Sequence, residues 1–340
     1  NHNSGCFLRT KKIIDFTGIL IQGSRFFSFR MKKLLLTTFI AFASAFALSA
    51  QPDDLSKMME EEMSKDAEPD YATATFKTTR LVNGHTVENV AGGVLDMRIS
   101  HRFGAINTGI NQFYGLDVAT MRVSLEYGIN RWLMIGGGRS TYEKTYDSFL
   151  KAKLLRQSKG SRNMPVTVSY MASMQTKTVP FSNPDRVNFY TSNMFFVHQL
   201  IIGRKFNESF SFQVMPTLVH RNLVDSISTP HDLFSIGMGG RMKLTRRTSI
   251  NFEYFYQLPK FKPEGTYDVL SIGFDIETGG HVFQLCFTNS PYMVEKAFIH
   301  ETRGSWKAGD IIGGFNLSRN FTIRDPRKNK HEKTGEAPAW

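Results

Sequence analysis

The stretch from residue 232 to residue 288 constrains the fold more than any other part of the chain. It contains four runs in which apolar and polar residues alternate, separated by turn signals such as TRRTS and TGG. Successive side chains of a strand point to opposite faces, so this alternation predicts four strands, each with one apolar and one polar face. The predicted apolar faces carry Phe234, Ile236, Met238, Met242, Leu244, Ile250, Phe252, Tyr254, Tyr256, Leu270, Ile272, Phe274, Ile276, Phe283, Leu285 and Phe287.

Eight further runs extend this pattern and bring the predicted number of strands to about twelve. They cover residues 94–103, 119–127, 132–139, 147–157, 166–175, 195–206, 210–219 and 310–323. Most runs have roughly the 9 to 11 residues that a tilted strand needs to cross a membrane. Aromatic residues at the predicted strand ends, typical of membrane interfaces, are Phe103, Tyr127, Trp132, Tyr142, Tyr146, Phe206 and Phe210.

The connections between the predicted strands alternate in length. Those after even-numbered strands are mostly short, whereas the segments 104–118, 176–193, 220–231 and 289–309 are long. An even strand count with this parity is typical of outer-membrane barrels that have both termini in the periplasm. The sequence therefore predicts an all-β protein, a transmembrane antiparallel up-and-down β-barrel over residues 92–323. The one conflict is Pro216, which lacks a ladder donor and predicts a bulge or an early strand end.

The N-terminal third divides into segments of different composition. Residues 31–50 have a basic start, an apolar stretch shorter than the ~20 residues of a spanning helix and a small-residue end, which predicts a signal peptide rather than an anchor. Cleavage is expected after Ala50, with Ala47 as the alternative, and residues 1–30 are interpreted as upstream translation. Residues 51–91 are predicted to form an acidic linker and a small hairpin around Asn83-Gly84, either periplasmic or tucked into the barrel mouth.

At the other end of the chain, residues 324–340 are predicted to form a basic periplasmic tail.

Charge and cysteine content exclude several classes of protein. The chain has a net charge of +12, but seven of its 42 basic residues and only one of its 30 acidic residues lie in the first 50 positions. The remaining 35 basic and 29 acidic residues leave +6, without a basic module interleaved with aromatics, so nucleic-acid binding is not predicted. Cys286 is the only cysteine after residue 50, which excludes an intramolecular disulfide and a paired-cysteine metal site.

Two glycine-rich runs invite a phosphate-loop reading. They are GGGRS at 136–140 and GMGG at 237–240, but neither is followed by the required Lys and Ser or Thr. They are predicted instead to let barrel strands bend. No cofactor is predicted.

Several segments resemble domain-of-unknown-function family 5777, a Bacteroidetes β-barrel family. They are FKTTRLVNGHTVENV, ISHRFGAINTG, FYGLD, MRVSLEYGINRWLMIGGGRS, TYDSFLKAKLLRQSKG and the closing GDIIGGFNLSRNF, within residues 71–323. The resemblance implies an outer-membrane barrel in contact with lipid and with the barrel assembly machinery, but no assigned activity. It therefore supplies no functional residues.

The candidate functional residues are the charged ones on the polar strand faces, which would line the lumen. They are Asp96, Arg98, Arg102, Arg122, Glu126, Lys151, Lys153, Arg241, Lys243, Glu253, Asp275 and Glu277. They could pair across the lumen and fill it, or line a polar pathway, because a twelve-stranded barrel lies between filled 8-stranded and open 16-stranded ones. With seven basic and five acidic members, the set predicts extensive cross-lumen pairing and a small passage slightly favouring anions.

The sequence leaves three functions open. The leading prediction is an outer-membrane barrel that acts as a narrow channel for small polar solutes. A hydrolase could instead use the loop at 220–232, which carries His220, Asp225, Ser226, Ser228, His231 and Asp232, although loop spacing cannot establish catalytic geometry. The third possibility is a closed structural or adhesive barrel.

Overall fold

The computed structural model describes residues 69–181, 183, 185–224 and 230–324. The predicted upstream segment, signal peptide and most of the acidic linker lie outside these residues. So do Asp225, Ser226 and Ser228 of the 220–232 loop and nearly all of the C-terminal tail.

Twelve strands within the described residues form one closed barrel in which each strand pairs antiparallel with the next and the last pairs with the first. They are β1 Val94–Ala105, β2 Thr120–Gly128, β3 Leu133–Ser140, β4 Tyr146–Leu155, β5 Thr167–Thr176, β6 Met194–Lys205, β7 Phe210–Arg221, β8 Asp232–Lys243, β9 Thr248–Gln257, β10 Val269–Thr278, β11 His281–Thr288 and β12 Ile312–Thr322. The predicted fold class and strand number are confirmed. Asp70–Tyr71 and Ser158–Lys159 form a separate two-stranded pair.

Alternation along the strands separates an outer apolar face from an inner polar face. On β9, Ser249, Asn251 and Glu253 are at most 2% exposed, whereas the side chain of Phe252 between them is 38% exposed. The same division holds on β1, where Asp96, Arg98 and Arg102 are buried and their neighbours are half-buried. The apolar residues therefore face outwards, as a lipid-facing surface requires.

The helices are short and lie in the connections. One α-helix, α1, spans Glu295–His300, and 3₁₀ turns span Ile106–Thr108, Ile110–Gly115, Tyr142–Lys144, Tyr190–Asn193, Pro259–Phe261 and Trp306–Ala308. None of the helices in the described ranges is long and apolar enough to cross a membrane.

The connections define two different ends of the barrel. One, the short-turn end, carries the tight turns after β2, β6, β8 and β10, together with the start of β1. The other, the long-loop end, carries the segments 177–193, 222–231, 258–268 and 289–311. This is the predicted parity, with two exceptions. The 141–145 connection at the long-loop end is short, and the 156–166 connection at the short-turn end is as long as 258–268.

Two details of the sequence prediction are wrong. Pro216 neither bulges β7 nor ends it: the β7 register with β8 is continuous through Pro216 and Ile236. The β7 strand also keeps one register with β6: Gln199 pairs with Thr217 on one side of Pro216, and Ile202 pairs with Val214 on the other. The proline side chain faces outwards. The missing N–H removes a hydrogen bond of the ladder locally but does not shift the strand register.

Tyr142 does not belong to an interfacial belt. Its hydroxyl donates to Glu301 at 3.0 Å. Its ring lies 4.0 Å from that of Tyr292 between centroids. It therefore packs against the long 289–311 connection, while Trp132, Tyr146 and Phe206 keep exposed rings near strand ends.

The outward facing of Ile272 makes a test of the membrane face possible. Ile272→Arg is expected to cost about 2 to 4 kcal/mol in the membrane, because it lies near the middle of β10 on the lipid side. Ile276→Arg, on the same face near the turn at Gly279, is expected to cost only about 0 to 1 kcal/mol. The measurement is urea unfolding of the protein refolded into lipid vesicles, and equal effects would contradict the assignment.

Ser271, the inward-facing neighbour of Ile272, does not provide a mild control for the same substitution. It is fully buried, and its hydroxyl accepts a hydrogen bond from the Asn83 side chain at 3.3 Å. An arginine there would disrupt the barrel interior.

Candidate functional site: a plugged lumen

The predicted hairpin lies inside the barrel. Residues 75–90, here called the plug, are almost entirely buried. Their chain reverses at the predicted Asn83-Gly84 position, although the turn has four residues: the Leu81 amide donates to the Gly84 carbonyl at 2.9 Å, and Arg80 bridges to His85. The plug continues into β1 through Gly92 and Gly93, at the short-turn end. The hairpin is therefore not periplasmic, as one prediction had it. It lies in the barrel, as the alternative prediction had it, but deeper than the barrel mouth.

The plug contacts the inner face of every barrel strand. Hydrogen bonds join it to Arg102, Glu126, Met134, Lys151, Ser169, Gln213, Glu253, Ser271, Gln284 and Asn316, on ten different strands. The other two strands contact it through glycines. A Cβ at Gly203 would lie 2.8 Å from the Val87 side chain, and one at Gly239 would lie 2.1 Å from that of Leu81.

The glycines of the run at 237–240 leave space for side chains inside the barrel. Gly239 makes room for Leu81, and Gly237 makes room for the ring of Phe255, which a Cβ would approach to 2.6 Å. On β3, a Cβ at Gly136 would likewise approach the ring of Phe149 to 2.6 Å. Their missing side chains serve close packing of the interior.

The tip of the plug is held by one carboxylate. Glu253 accepts hydrogen bonds from three successive backbone amides, those of Val82 at 3.3 Å, Asn83 at 3.1 Å and Gly84 at 2.8 Å. Consecutive amides that point to one side form a concave anion-binding site. The Asn-Gly turn thus provides the donors, and β9 provides the acceptor.

The sides of the plug are held through its backbone. The Lys151 ammonium donates to the carbonyls of Thr79, Thr86 and Glu88 at 3.4, 3.1 and 2.5 Å. The Gln213 amide donates to the His85 carbonyl at 2.7 Å. The barrel wall therefore replaces the neighbouring strands that the hairpin lacks.

A buried charge cluster joins the plug to the opposite connection. The Arg80 guanidinium lies 3.3 Å from Glu126 on β2 and 2.8 Å from Glu295 on α1. Glu295 also accepts from Gln175 at 2.5 Å. Because α1 belongs to the 289–311 connection, segments from the two ends of the barrel meet at Arg80 in its interior.

The helix α1 closes the lumen towards the long-loop end. All six of its residues are buried, and the ring of Phe298 lies 5.2 Å from that of Phe255 on β9. The Lys296 ammonium bonds to Glu143 at 2.5 Å and to Glu301 at 3.2 Å. The short helix is therefore fixed by charge and by packing.

Two buried histidines, His85 of the plug and His300 of α1, lie near cationic side chains. Burial, together with the nearby charges of Arg80 and Lys151, holds the pKa of His85 well below its usual range. Burial and the charge of Arg221 lower the pKa of His300 to about 3. Both rings are therefore neutral near pH 7.

The twelve predicted lumen residues divide clearly by depth. Eight are almost fully buried: Asp96, Arg98, Arg102, Arg122, Glu126, Lys151, Glu253 and Asp275. The remaining four, Lys153, Arg241, Lys243 and Glu277, lie towards the short-turn end and are more accessible.

Their partners differ from the predicted ones. In the part of the chain that the structure describes, the twelve form no ion pair with one another, and each ion pair uses a residue outside the set. Lys77, Arg80 and Glu88 of the plug pair with Glu277, Glu126 and Lys153, and Arg122 pairs with Asp147. The plug, rather than the opposite wall, neutralises much of the interior charge.

The sequence reasoning missed Arg80, Asp147 and Glu295. Asp147 could have been found, because it shares the polar face of β4 with Lys151. Arg80 and Glu295 lie outside the strands, so alternation gives no signal for them.

The 220–232 loop does not assemble the described members of the predicted hydrolase group into a catalytic arrangement. His220 pairs with Asp232 at 2.7 Å, and His231 Nδ1 lies 2.6 Å from the Arg221 carbonyl. Both contacts are exposed.

A closed membrane β-barrel with an occupied polar lumen is the class of protein that this fold and site define. The model of family DUF5777, described as a membrane bound beta barrel domain, matches residues 76–321, and the chain belongs to this family. The matched range contains nearly all of the plug and of the twelve strands.

Several solved structures are similar to the chain. The NanC porin has 7% identity and a TM-score of 0.42, over 67% of this chain and 98% of that one. The KdgM porin has 8% identity and a TM-score of 0.41, over 67% and 99%. The outer membrane protein Omp33 of Acinetobacter baumannii has 10% identity and a TM-score of 0.37, over 69% and 100%. No curated protein matches the sequence.

Proposed function

We propose that the protein is an outer-membrane channel for small polar solutes whose resident plug must move before solute passes. The observation that carries this proposal is the chemistry of the surface beneath the plug. Arg102, Lys151 and Glu253 lie on it, and polar groups of the plug form hydrogen bonds with all three. A wall built in this way is wetted by water once the plug leaves.

Unpaired polar atoms support the same function. Within the described residues, Nε and Nη1 of Arg98, Nε of Arg102 and Oγ of Ser124 are buried without a hydrogen-bond partner. A buried polar group left unsatisfied costs about 1 to 3 kcal/mol, so a lumen meant to stay closed would be more stable with apolar groups there. A hydrated passage removes that cost.

The charge balance bears on selectivity. Adding Asp147 to the twelve predicted lumen residues gives seven basic and six acidic groups on the wall, so the anion preference expected from the sequence becomes weak. Conduction through the unplugged barrel should discriminate little between small anions and cations.

A permanently closed barrel is the second candidate, and the plug's contact with all twelve strands favours it. The planar-bilayer conductance of the refolded chain distinguishes the two. Wild type is expected to conduct rarely, whereas a variant with residues 75–90 replaced by a Gly-Ser linker should conduct steadily, because an empty twelve-stranded barrel is wider than a filled 8-stranded one.

Lys151→Met provides a second variant that keeps the plug but removes its three carbonyl contacts. It should open more often than wild type. Faster migration of unheated than of boiled protein on gels verifies that each variant has folded. Folded variants that never conduct would overturn the channel and leave the closed barrel.

The cellular placement is part of the proposal. Residues 31–50 would direct export and residues 92–323 would form the barrel, assembled by the barrel assembly machinery in a bacterium of the Bacteroidetes, with both termini periplasmic. The loop parity and the family resemblance support this. Fractionation with protease treatment of intact cells tests it: recovery in the soluble fraction, or cleavage of a C-terminal tag from outside, would contradict it.

A further inference from the structure

A pocket of about 330 Å³ lies at the long-loop end, beside the residues that hold α1. It is bounded by the β5–β6 connection at 177–193 and by the start of the β7–β8 connection. Asn222 joins the two connections. Its side chain donates to the Thr191 carbonyl at 2.8 Å, and its backbone amide donates to the Met194 carbonyl at 3.3 Å. The pocket's volume is at the lower end of the roughly 300 to 1,000 Å³ of small-molecule sites.

The pocket carries positive charge that is only partly neutralised. Lys177 lines it and lies 3.7 Å from Glu143, which is too far for a hydrogen bond. The same carboxylate already binds Lys296 at 2.5 Å. Arg186, a second lining cation, is exposed. An anionic group placed between Lys177 and Arg186 would therefore meet two cations, and one of them, Lys177, shares its carboxylate with Lys296.

The rest of the lining is suited to hydroxyl groups and a carbon ring. Asn193 is 6% exposed, and its buried Oδ1 has no hydrogen-bond partner among the described residues, so a hydroxyl that reached it would meet a free acceptor. Asn188 adds an amide, and the rings of Phe181 and Phe195 add apolar surface. A lining of two cations, amides and aromatic rings matches one class of small molecule.

We propose that this pocket binds a sugar acid. Its carboxylate lies between Lys177 and Arg186, its hydroxyls bond to Asn193 and Asn188, and a carbon face of the ring packs on Phe181. The inference rests on the proposed function in that it names the class of solute that the channel would take up. The pocket also borders α1, since the Lys296 ammonium lies 4.5 Å from the centroid of the ring of Phe195, a lining residue.

Isothermal titration calorimetry of the refolded chain tests the proposal with three probes: sodium glucuronate, glucose and sodium acetate. Glucuronate is expected to bind at least tenfold more tightly than either of the others, because glucose lacks the carboxylate and acetate lacks the ring. Lys177→Gln should weaken glucuronate binding about tenfold and leave glucose unchanged. Lys159→Gln, at an exposed lysine of the short-turn end, is the matched control and should change nothing.

Each other outcome overturns the site. Equal binding of glucuronate and glucose would remove the charge argument, equal binding of glucuronate and acetate would remove the ring argument, and no binding or an unaffected Lys177→Gln variant would remove the pocket. The test is independent of conduction. Glucuronate binding without conductance in any variant would contradict only the channel, and conductance without glucuronate binding would contradict only this site.

Discussion

Arg80→Met is expected to lower the free energy of unfolding by about 3 to 5 kcal/mol, the cost of breaking a buried ion pair from one side. The guanidinium is 3% exposed and lies within 3.3 Å of both Glu126 and Glu295, whose side chains are equally inaccessible. Removing it leaves two carboxylates in the barrel interior without their nearest cation. Because one belongs to β2 and the other to α1, the loss weakens both the plug and the helix.

Lys77→Met is the matched control, since it removes the other cation with which the plug pairs to an acidic side chain. Lys77 pairs with Glu277 at the short-turn end, where both side chains are about one-third exposed. Exposed pairs contribute about 0 to 1 kcal/mol, so this variant should unfold almost as wild type. Urea titration followed by tryptophan fluorescence measures both. Equal losses for the two variants would mean that Arg80 contributes through packing or that Glu126 and Glu295 become protonated at little cost.

The barrel could be predicted from the sequence because strand alternation records which medium each side chain faces. Phe252 and Glu253 are adjacent in the sequence, and their side chains point to opposite faces of the sheet. Only a period of two residues fits the run that contains them. Loop lengths then fixed which ends of the strands lie together. Strand alternation and loop length are both local in sequence, so they can be interpreted without knowing which distant residues each strand contacts.

The plug could not be predicted in the same way, because its position depends on contacts distant in sequence. The Asn83-Gly84 turn was recognisable, but its amides bond to Glu253, 170 and 169 residues away. Backbone donors leave no trace in side-chain identity. The helix α1 has six residues, too few to show a helical period, and so Glu295 had no signal.

The same reason explains why the lumen charges were paired incorrectly. From alternation alone, Glu126 and Lys153 are charges on an inner wall, and the opposite wall is their only visible partner. In the structure, Arg80 of the plug pairs with Glu126, and Glu88 of the plug pairs with Lys153. A polar segment just before the first strand should therefore be considered as lumen content whenever a barrel of intermediate width has charged inner faces.

Replacement of Glu253 is expected to release the plug without unfolding the barrel. Glu253→Leu removes the acceptor of three buried backbone amides, each of which costs about 1 to 3 kcal/mol when left unsatisfied inside the lumen. The plug tip can regain partners only by moving into water. A loss of about 3 kcal/mol corresponds to roughly a hundredfold rise in the population with the tip released.

Trypsin cleavage after Arg80 reports that release, because Arg80 is buried while the plug is seated. When opening and closing are fast, the cleavage rate follows the open population, so Glu253→Leu should be cut about a hundredfold faster than wild type. Glu253→Gln keeps one acceptor oxygen and should be intermediate. Asp147→Asn is the control: it breaks the buried pair with Arg122, which joins β2 to β4, and weakens the wall without touching the plug tip. Faster cleavage in the Asp147 variant than in Glu253→Leu would mean that the wall, and not the carboxylate under the turn, keeps the plug in the lumen.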